Sequence, residues 1–291
     1  MSRIAYVNGS YVSHRKGAVH IEDRGFQFAD GVYEVVTVLH GKLIDEEPHL
    51  DRLDRSLGEL EISWPVTRSA LKVILRQMVI RNILKTGIIY FQVTRGVYSR
   101  QFEFPEDIKS SLIITAKHIP SLAKPSAPNS TGISVVTLPD IRWQRCDIKT
   151  VGLLAACMTI EKAHAAGADD AWMVDENGYI TEGTSNNAWI VTKDNELITR
   201  PASNDILNGI TRMRILKIAK SQGLKIVERP FTPDEATSAK EAFVSSASKF
   251  VKSVTTIDGK SIGNGQMGEL SEALLTGVYD FMKNGESEHN A

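Results

Sequence analysis

The sequence predicts an α+β protein of two domains, a smaller α+β domain over residues 1–118 and a larger β-rich domain with helices over residues 133–291. Three observations point there. The chain has 291 residues, more than one domain of roughly 100–200 residues needs. Runs of alternating apolar residues and segments of helical spacing come in blocks rather than as strict βαβ repeats. Between the blocks the pattern breaks at residues 119–132, where Pro120, Pro125 and Pro128 mark a linker.

In the first block, Ile4–Asn8 and Tyr11–Ser13 flank Gly9-Ser10 as a hairpin, and Tyr33–Leu39 with Leu43-Ile44 flank Gly41-Lys42 as another. Leu50, Leu53, Leu57 and Leu60 put one face of a helix over Pro48–Leu60. Leu71, Ile74, Leu75, Met78, Val79 and Ile83 do the same over Ser69–Lys85, and Gly87–Arg95 and Ser111–Lys117 read as strands. In the second block, Ile133–Leu138 is a strand. Lys149 comes next, followed by a helix through about Ala166, with Leu153, Leu154, Ala156, Cys157, Ile160 and Ala163 inward and Gly167 as its stop. Ala171–Val174 and Tyr179–Thr181 are joined by a tight turn ending in Asn177-Gly178, and Ala188–Thr192 pairs with Glu196–Thr199. Thr211–Gln222 is a basic amphipathic helix, Ala242–Ser245 and Ser253–Ile257 are strands, Leu270–Lys283 is a helix, and Asn284–Ala291 is a frayed polar tail.

Composition narrows the function. Hydrophobic residues at 42% and charged residues at 24% suit a globular core, and a net charge of −1 gives no electrostatic case for nucleic acid or a membrane surface. No stretch approaches transmembrane length, and the N-terminus has no long apolar run, so the cytoplasm is the expected location. Cys146 and Cys157 lack CxxC spacing and read as small buried hydrophobes, although sequence alone leaves a disulfide open. The seven histidines show no paired metal-ligand spacing, and His49 reads as structural.

Candidate chemistry starts at Lys149, which ends an apolar stretch at Ile148. Burial lowers an amine's pKa and keeps it nucleophilic, although a lysine there also serves simply as a packed stem with a solvated head. Glu182 is followed by Gly183-Thr184-Ser185-Asn186-Asn187, small residues that let a planar ring approach; its plain alternative is a turn carboxylate accepting backbone N–H groups. An amine and a carboxylate are what pyridoxal phosphate (PLP) chemistry asks of a protein. Asn208-Gly209-Ile210-Thr211 runs into a helix and presents N–H groups to an anion, or else Thr211 is merely the N-cap. Ser245-Ser246-Ala247-Ser248 follows a strand and adds donors, and Arg52 carries a formal positive charge.

Together these segments resemble the branched-chain/D-amino-acid aminotransferase family, the fold-type IV PLP enzymes, and within it most of all the bacterial D-amino-acid aminotransferases. The matching stretches are Glu22–Val36, Val93–Gly96, Asp140–Lys149, Thr181–Gly183 and Gly209–Arg212. The resemblance implies a two-domain fold-type IV enzyme that transaminates D-amino acids, of the D-alanine or D-glutamate type, with a 2-oxo acid acceptor. It implies Lys149 as Schiff-base lysine and proton shuttle, and Glu182 against the pyridinium nitrogen. It implies Arg52, Ile210, Thr211, Ser246 and Ala247 around the phosphate, Tyr33 near the lysine and the substrate carboxylate, and Glu34 with Arg142 as a supporting ion pair. It implies a homodimer with the site shared between subunits.

One position departs from the family pattern. An Arg-x-His pair is expected for the substrate carboxylate, and here Arg100 is present but Phe102 stands in the place of the histidine. A lost charged donor weakens carboxylate binding by roughly tenfold or more and makes (R)-amines plausible substrates. The alternatives within the class are an (R)-amine transaminase, a branched-chain L-amino-acid aminotransferase and aminodeoxychorismate lyase. Outside it stand a non-catalytic module of the same fold and a nucleotide-binding oxidoreductase resting on Gly263-Asn264-Gly265-Gln266-Met267-Gly268, a glycine pattern without the βαβ context that gives it meaning.

Overall fold

The computed structural model describes residues 3–123 and 132–284; most of the expected linker and of the expected frayed tail lie outside the described residues. Two compact units emerge, one of residues 3–123 with 148–153, the other of residues 132–147 with 154–284.

The first unit is a six-stranded sheet with helices. Its strands are β1 (Ile4–Val7), β2 (Ser10–Ser13), β3 (Gly31–Leu39), β4 (Lys42–Leu43), β5 (Thr86–Thr94) and β6 (Ser111–His118), in the antiparallel order β2-β1-β6-β5-β3-β4. Both predicted hairpins form, and their turns take the left-handed conformation at Asn8-Gly9 and at His40-Gly41, where glycine carries the second positive φ without a Cβ clash. α1 (Arg24–Phe28) precedes β3, while α2 (Glu46–Glu59) and α3 (Arg68–Arg81) bury the predicted leucine faces. Leu50, Leu53, Leu57, Leu71, Leu75 and Met78 pack with Val32, Val36, Ile89, Phe91 and Val93 of the sheet. α3 stops short of the expected Lys85 because Asn82 turns its side chain to the main chain of Met78 and Ile4, and Ile83 is left-handed.

Ile148 joins this same core. Val151 N–H donates to Gly31 O at 3.0 Å, Tyr33 N–H to Lys149 O at 2.9 Å, and Thr150 bridges Val32. Lys149 therefore lies on an extended segment along the start of β3, ahead of the helix as expected. That helix, α4 (Leu154–Ala165), begins later and presents a different face: Thr159 and Ala163 are buried, whereas Leu153, Leu154 (73% exposed) and Cys157 are exposed. Cys157 is thus no buried hydrophobe, and both cysteines are free thiols.

The second unit is a nine-stranded sheet of β7 (Ile133–Pro139), β8 (Asp170–Val174), β9 (Ile180–Gly183), β10 (Asn187–Val191), β11 (Glu196–Thr199), β12 (Lys225–Glu228), β13 (Glu241–Ser246), β14 (Phe250–Ile257) and β15 (Lys260–Ser261). The order is β12-β11-β10-β13-β14-β7-β8-β9, with β15 on β14. β9 and β10 lie five steps apart in that order, roughly 24 Å in a flat sheet at about 4.8 Å per strand. Only residues 184–186 join them, a reach of at most roughly 14 Å. The sheet must curl until its last strand comes back beside β10. Inside lie Trp172, Ile180, Ile190, Phe231, Val244 and Val254, with Trp172 and Phe231 edge to face at 6.0 Å. α5 (Ile210–Ser221), α6 (Pro233–Thr237) and α7 (Glu269–Asn284) complete the unit. The Gly263–Gly268 loop is the lead into α7: Glu241 accepts from Leu270 and Ser271 at that helix start, and a Cβ on Gly268 would stand 2.0 Å from Glu241 Cδ. Among the described residues no helix is long and apolar enough to cross a membrane.

Candidate active site

In the first unit the chemistry is organised by β3. Its alternation buries Val32, Glu34 and Val36 on one face and leaves Tyr33 on the other. The main chain of Lys149 accepts the Tyr33 N–H at its carbonyl, and its own N–H donates to Ser56 Oγ at 3.4 Å. Its Nζ stands 4.2 Å from the centre of the Tyr33 ring, within range of a cation–π contact. The Tyr33 ring in turn lies 5.5 Å from that of Tyr90, whose hydroxyl burial pushes up to about 12.

Glu34 is 0% exposed on the core face. Arg52 grips it with Nε and Nη2, each at 2.8 Å, and His49 Nδ1 lies 2.7 Å from Oε2. Burial by itself raises a carboxyl's pKa, yet Arg52 and then His49 hold Glu34 well below the usual carboxylate range. The ion pair expected of Glu34 with Arg142 is replaced by two separate networks, because α2 places an arginine and a histidine, one turn apart, over Glu34.

Arg142 belongs to the other network. Its Nε and Nη2 take Asp140 at 3.0 and 2.7 Å, and its Nη1 meets Glu182 Oε1 at 2.5 Å. Burial works against the arginine's charge, but Asp140 and Glu182 more than offset it and raise its pKa. Burial also raises Asp140, which Arg142 and Thr181 bring below its usual value. Cys146 sits in the same field, and burial pushes its thiol up to about 12, so it is not a nucleophile.

Glu182 lies in β9, not on a turn, and is 5% exposed. Besides Arg142 it accepts from Asn187 Nδ2 at 3.0 Å and from the Leu207 N–H at 3.2 Å. Three donors hold such a carboxylate in place. Asn187 Nδ2 also donates to Leu207 O at 2.8 Å, and a Cβ on Gly209 would come within 2.3 Å of its Oδ1. One asparagine thus fastens Glu182 to the segment that enters α5. That helix has Gly209 as its N-cap with no side-chain capping bond, so Thr211 is its second residue and not its cap. The N–H groups of Ile210 and Thr211 head a twelve-residue helix at the positive end of its dipole.

Asn187 stands opposite Ser245, which brings Ser246 and Ala247 to the same end of the sheet. Asp170 ties the parts together: it accepts from Thr184 at 2.6 Å, Asn186 at 2.8 Å and Lys249 at 3.1 Å, joining the loop after Glu182 to the turn after Ser246. These donors fit the cofactor that the family resemblance implies, with an anchored carboxylate for a protonated ring nitrogen and an uncapped helix start for a phosphate.

Arg100 and Phe102 come together on the loop after β5, over Phe28: the guanidinium lies 5.1 Å from the Phe28 ring and 5.9 Å from the Phe102 ring. Phe102 is 79% exposed. The loop itself is pinned by Arg24, which donates to Gln101 O at 2.7 Å, while Asp30 bridges Arg24 and Arg95 at 2.8 and 2.7 Å. Sequence reasoning missed Asp140, Asp170, Asn187 and Tyr90. Two of them carried a signal: Asp140 opens a stretch that matches the family, and Asn187 is the last residue of the polar run after Glu182.

The family model for class IV amino-transferases matches residues 31–257. The chain is 39% identical to a D-alanine aminotransferase of Bacillus licheniformis over 94% of this chain and 95% of that one. It is 36% identical to a D-alanine aminotransferase of Staphylococcus aureus over 96% and 97%. The fold superposes on a branched-chain amino acid aminotransferase of Escherichia coli with a TM-score of 0.90 at 20% identity, covering 100% of this chain and 98% of that one. A second branched-chain amino acid aminotransferase, solved with pyridoxamine 5'-phosphate, gives a TM-score of 0.89 at 22% identity, covering 97% and 94%.

Proposed function

This chain belongs to the class IV aminotransferases, and on that basis we propose that it moves the amino group of D-amino acids onto 2-oxo acids in a ping-pong reaction dependent on PLP. The observation that carries the reading is Glu182, a buried carboxylate locked by three donors and tied through Asn187 to a helix start with no side-chain cap. The D-alanine aminotransferases at 36–39% identity support the D-amino-acid side of the choice. When bound, the cofactor supplies an aldehyde that captures amines and a cationic ring that accepts an electron pair.

Lys149 would hold the cofactor through its side-chain amine, and once freed its Nζ would be the base that moves the substrate α-proton. Tyr33, beneath that Nζ, sets its direction of approach. Glu182 keeps the ring nitrogen protonated. The N–H groups of Ile210, Thr211 and Ala247, the Ser246 hydroxyl and the Arg52 guanidinium hold the phosphate. Arg100 receives the substrate carboxylate, and the exposed Phe102 beside it makes that wall apolar, which favours (R)-amines as secondary donors. We propose a homodimer as the working form; exposed Ile21, Phe26, Phe102, Phe104, Leu154 and Met158 support an apolar surface for a second copy.

The test has two parts. Borohydride reduction of the yellow protein followed by peptide mapping places the cofactor on Lys149; a label on another lysine overturns that assignment. D-alanine and L-leucine are then offered separately with 2-oxoglutarate. Product from D-alanine is expected, and product from L-leucine alone rejects the D-amino-acid reading.

A further inference from the structure

Glu34 is the charged group least expected from its surroundings. It lies on the core face of β3 between Val32 and Val36, where an apolar side chain would pack with no desolvation cost. A buried ion pair is a poor source of stability compared with apolar residues of the same volume. The geometry points to a different use: Glu34 and His49 are positioning residues that aim the Arg52 guanidinium at the cofactor's phosphate. The inference rests on the reading of Arg52 as a phosphate ligand.

Three features carry it. Glu34 takes the Nε–Nη2 edge of Arg52 with two parallel bonds of 2.8 Å, which brings carboxylate and guanidinium into one plane and turns the Nη1 edge away from the carboxylate. A glutamate's terminal torsion is soft, so two bonds to one flexible arginine do not by themselves fix either partner. His49 supplies the third contact, 2.7 Å from Oε2, out of the same helix as Arg52 and one turn before it. The carboxylate is then held from two points of one helix, by the imidazole and by the guanidinium. Strand β3 carries Tyr33, the neighbour of Lys149, on one face and Glu34 on the other. One strand therefore sets both the amine and the phosphate arginine.

The experiment compares PLP with pyridoxal, which lacks the phosphate, as ligands of the full-length protein stripped of cofactor. His49→Leu and Glu34→Gln should each weaken PLP binding by roughly tenfold or more while pyridoxal changes little, so the ratio of the two affinities falls. His49→Asn, whose amide nitrogen reaches the place of Nδ1, should restore most of the ratio. Equal weakening of both ligands means a merely structural role and overturns the inference, as does a folded His49→Leu or Glu34→Gln protein with the wild-type ratio. Arg52→Ala separates the two levels. If it too leaves the ratio unchanged, the phosphate role of Arg52 fails; if it lowers the ratio and the other two do not, only the inference on Glu34 and His49 fails.

Discussion

Replacing Asp170 by asparagine removes a charge that is 1% exposed and keeps the shape. The wild-type carboxylate accepts from Thr184, Asn186 and Lys249. An asparagine has one acceptor oxygen: in the place of Oδ1 it leaves the amide facing both Asn186 Nδ2 and Lys249 Nζ, and in the place of Oδ2 it leaves the amide facing the Ala171 N–H and the Thr184 hydroxyl. Breaking a buried charged network costs about 3–5 kcal/mol. Lys249 is about one-third exposed, which lowers that to roughly 2–3 kcal/mol. At about 2–4 °C per kcal/mol for a unit of this size, Tm should fall by roughly 4–12 °C at pH 7. The pH dependence follows from the native carboxylate. Burial opposes its charge, but Thr184, Lys249 and Asn186 bring its pKa below the ordinary value. Its contribution is full above the unfolded value of about 3.9 and is lost as pH falls through the lower folded value. The gap between wild type and Asp170→Asn should therefore be widest near neutrality and close in acid. Thermal unfolding followed by circular dichroism along a pH series reads both. A Tm within about 2 °C of wild type at pH 7, below the smallest shift that conversion allows, or a gap that widens in acid, refutes the reasoning.

Two more perturbations probe the specificity loop and the core. Phe102→His puts a donor beside Arg100 and should lower KM for D-amino acids by roughly tenfold, with KM for an (R)-amine lacking a carboxylate unchanged; steady-state kinetics with both donors check it, and an equal drop for the amine argues against a carboxylate contact. Leu53→Ala empties a fully buried position among Leu50, Leu57 and Leu75 and should cost about 2–5 kcal/mol, read from denaturant midpoints.

Local pattern sufficed for much of this protein. Period-two runs at 31–39 and 86–94 and the leucine spacing of 50, 53 and 57 state which face is buried, because that depends only on neighbours along the chain. Ordered motifs likewise marked Lys149 and Glu182 and the family. The surroundings of those residues were a different matter. The stretch after Ile148 looks helical in isolation, yet main-chain bonds to Gly31 and Tyr33 draw residues 148–153 into an extended segment, and the helix starts at Leu154 with another face inward. Glu34 has many arginines to choose among in sequence; only the packing of α2 over β3 decides for Arg52 and His49. Asp170 looks like the second of two surface aspartates until the pairing of β9 with β8 brings Thr184 and Asn186, and the turn between β13 and β14 brings Lys249, around it. Most of the elements, the family and the two groups assigned the chemistry could thus be read along the chain. Which charges hold those groups was settled by tertiary packing, because a buried ion pair is selected by long-range pairing and desolvation, and neither is written in the spacing of residues.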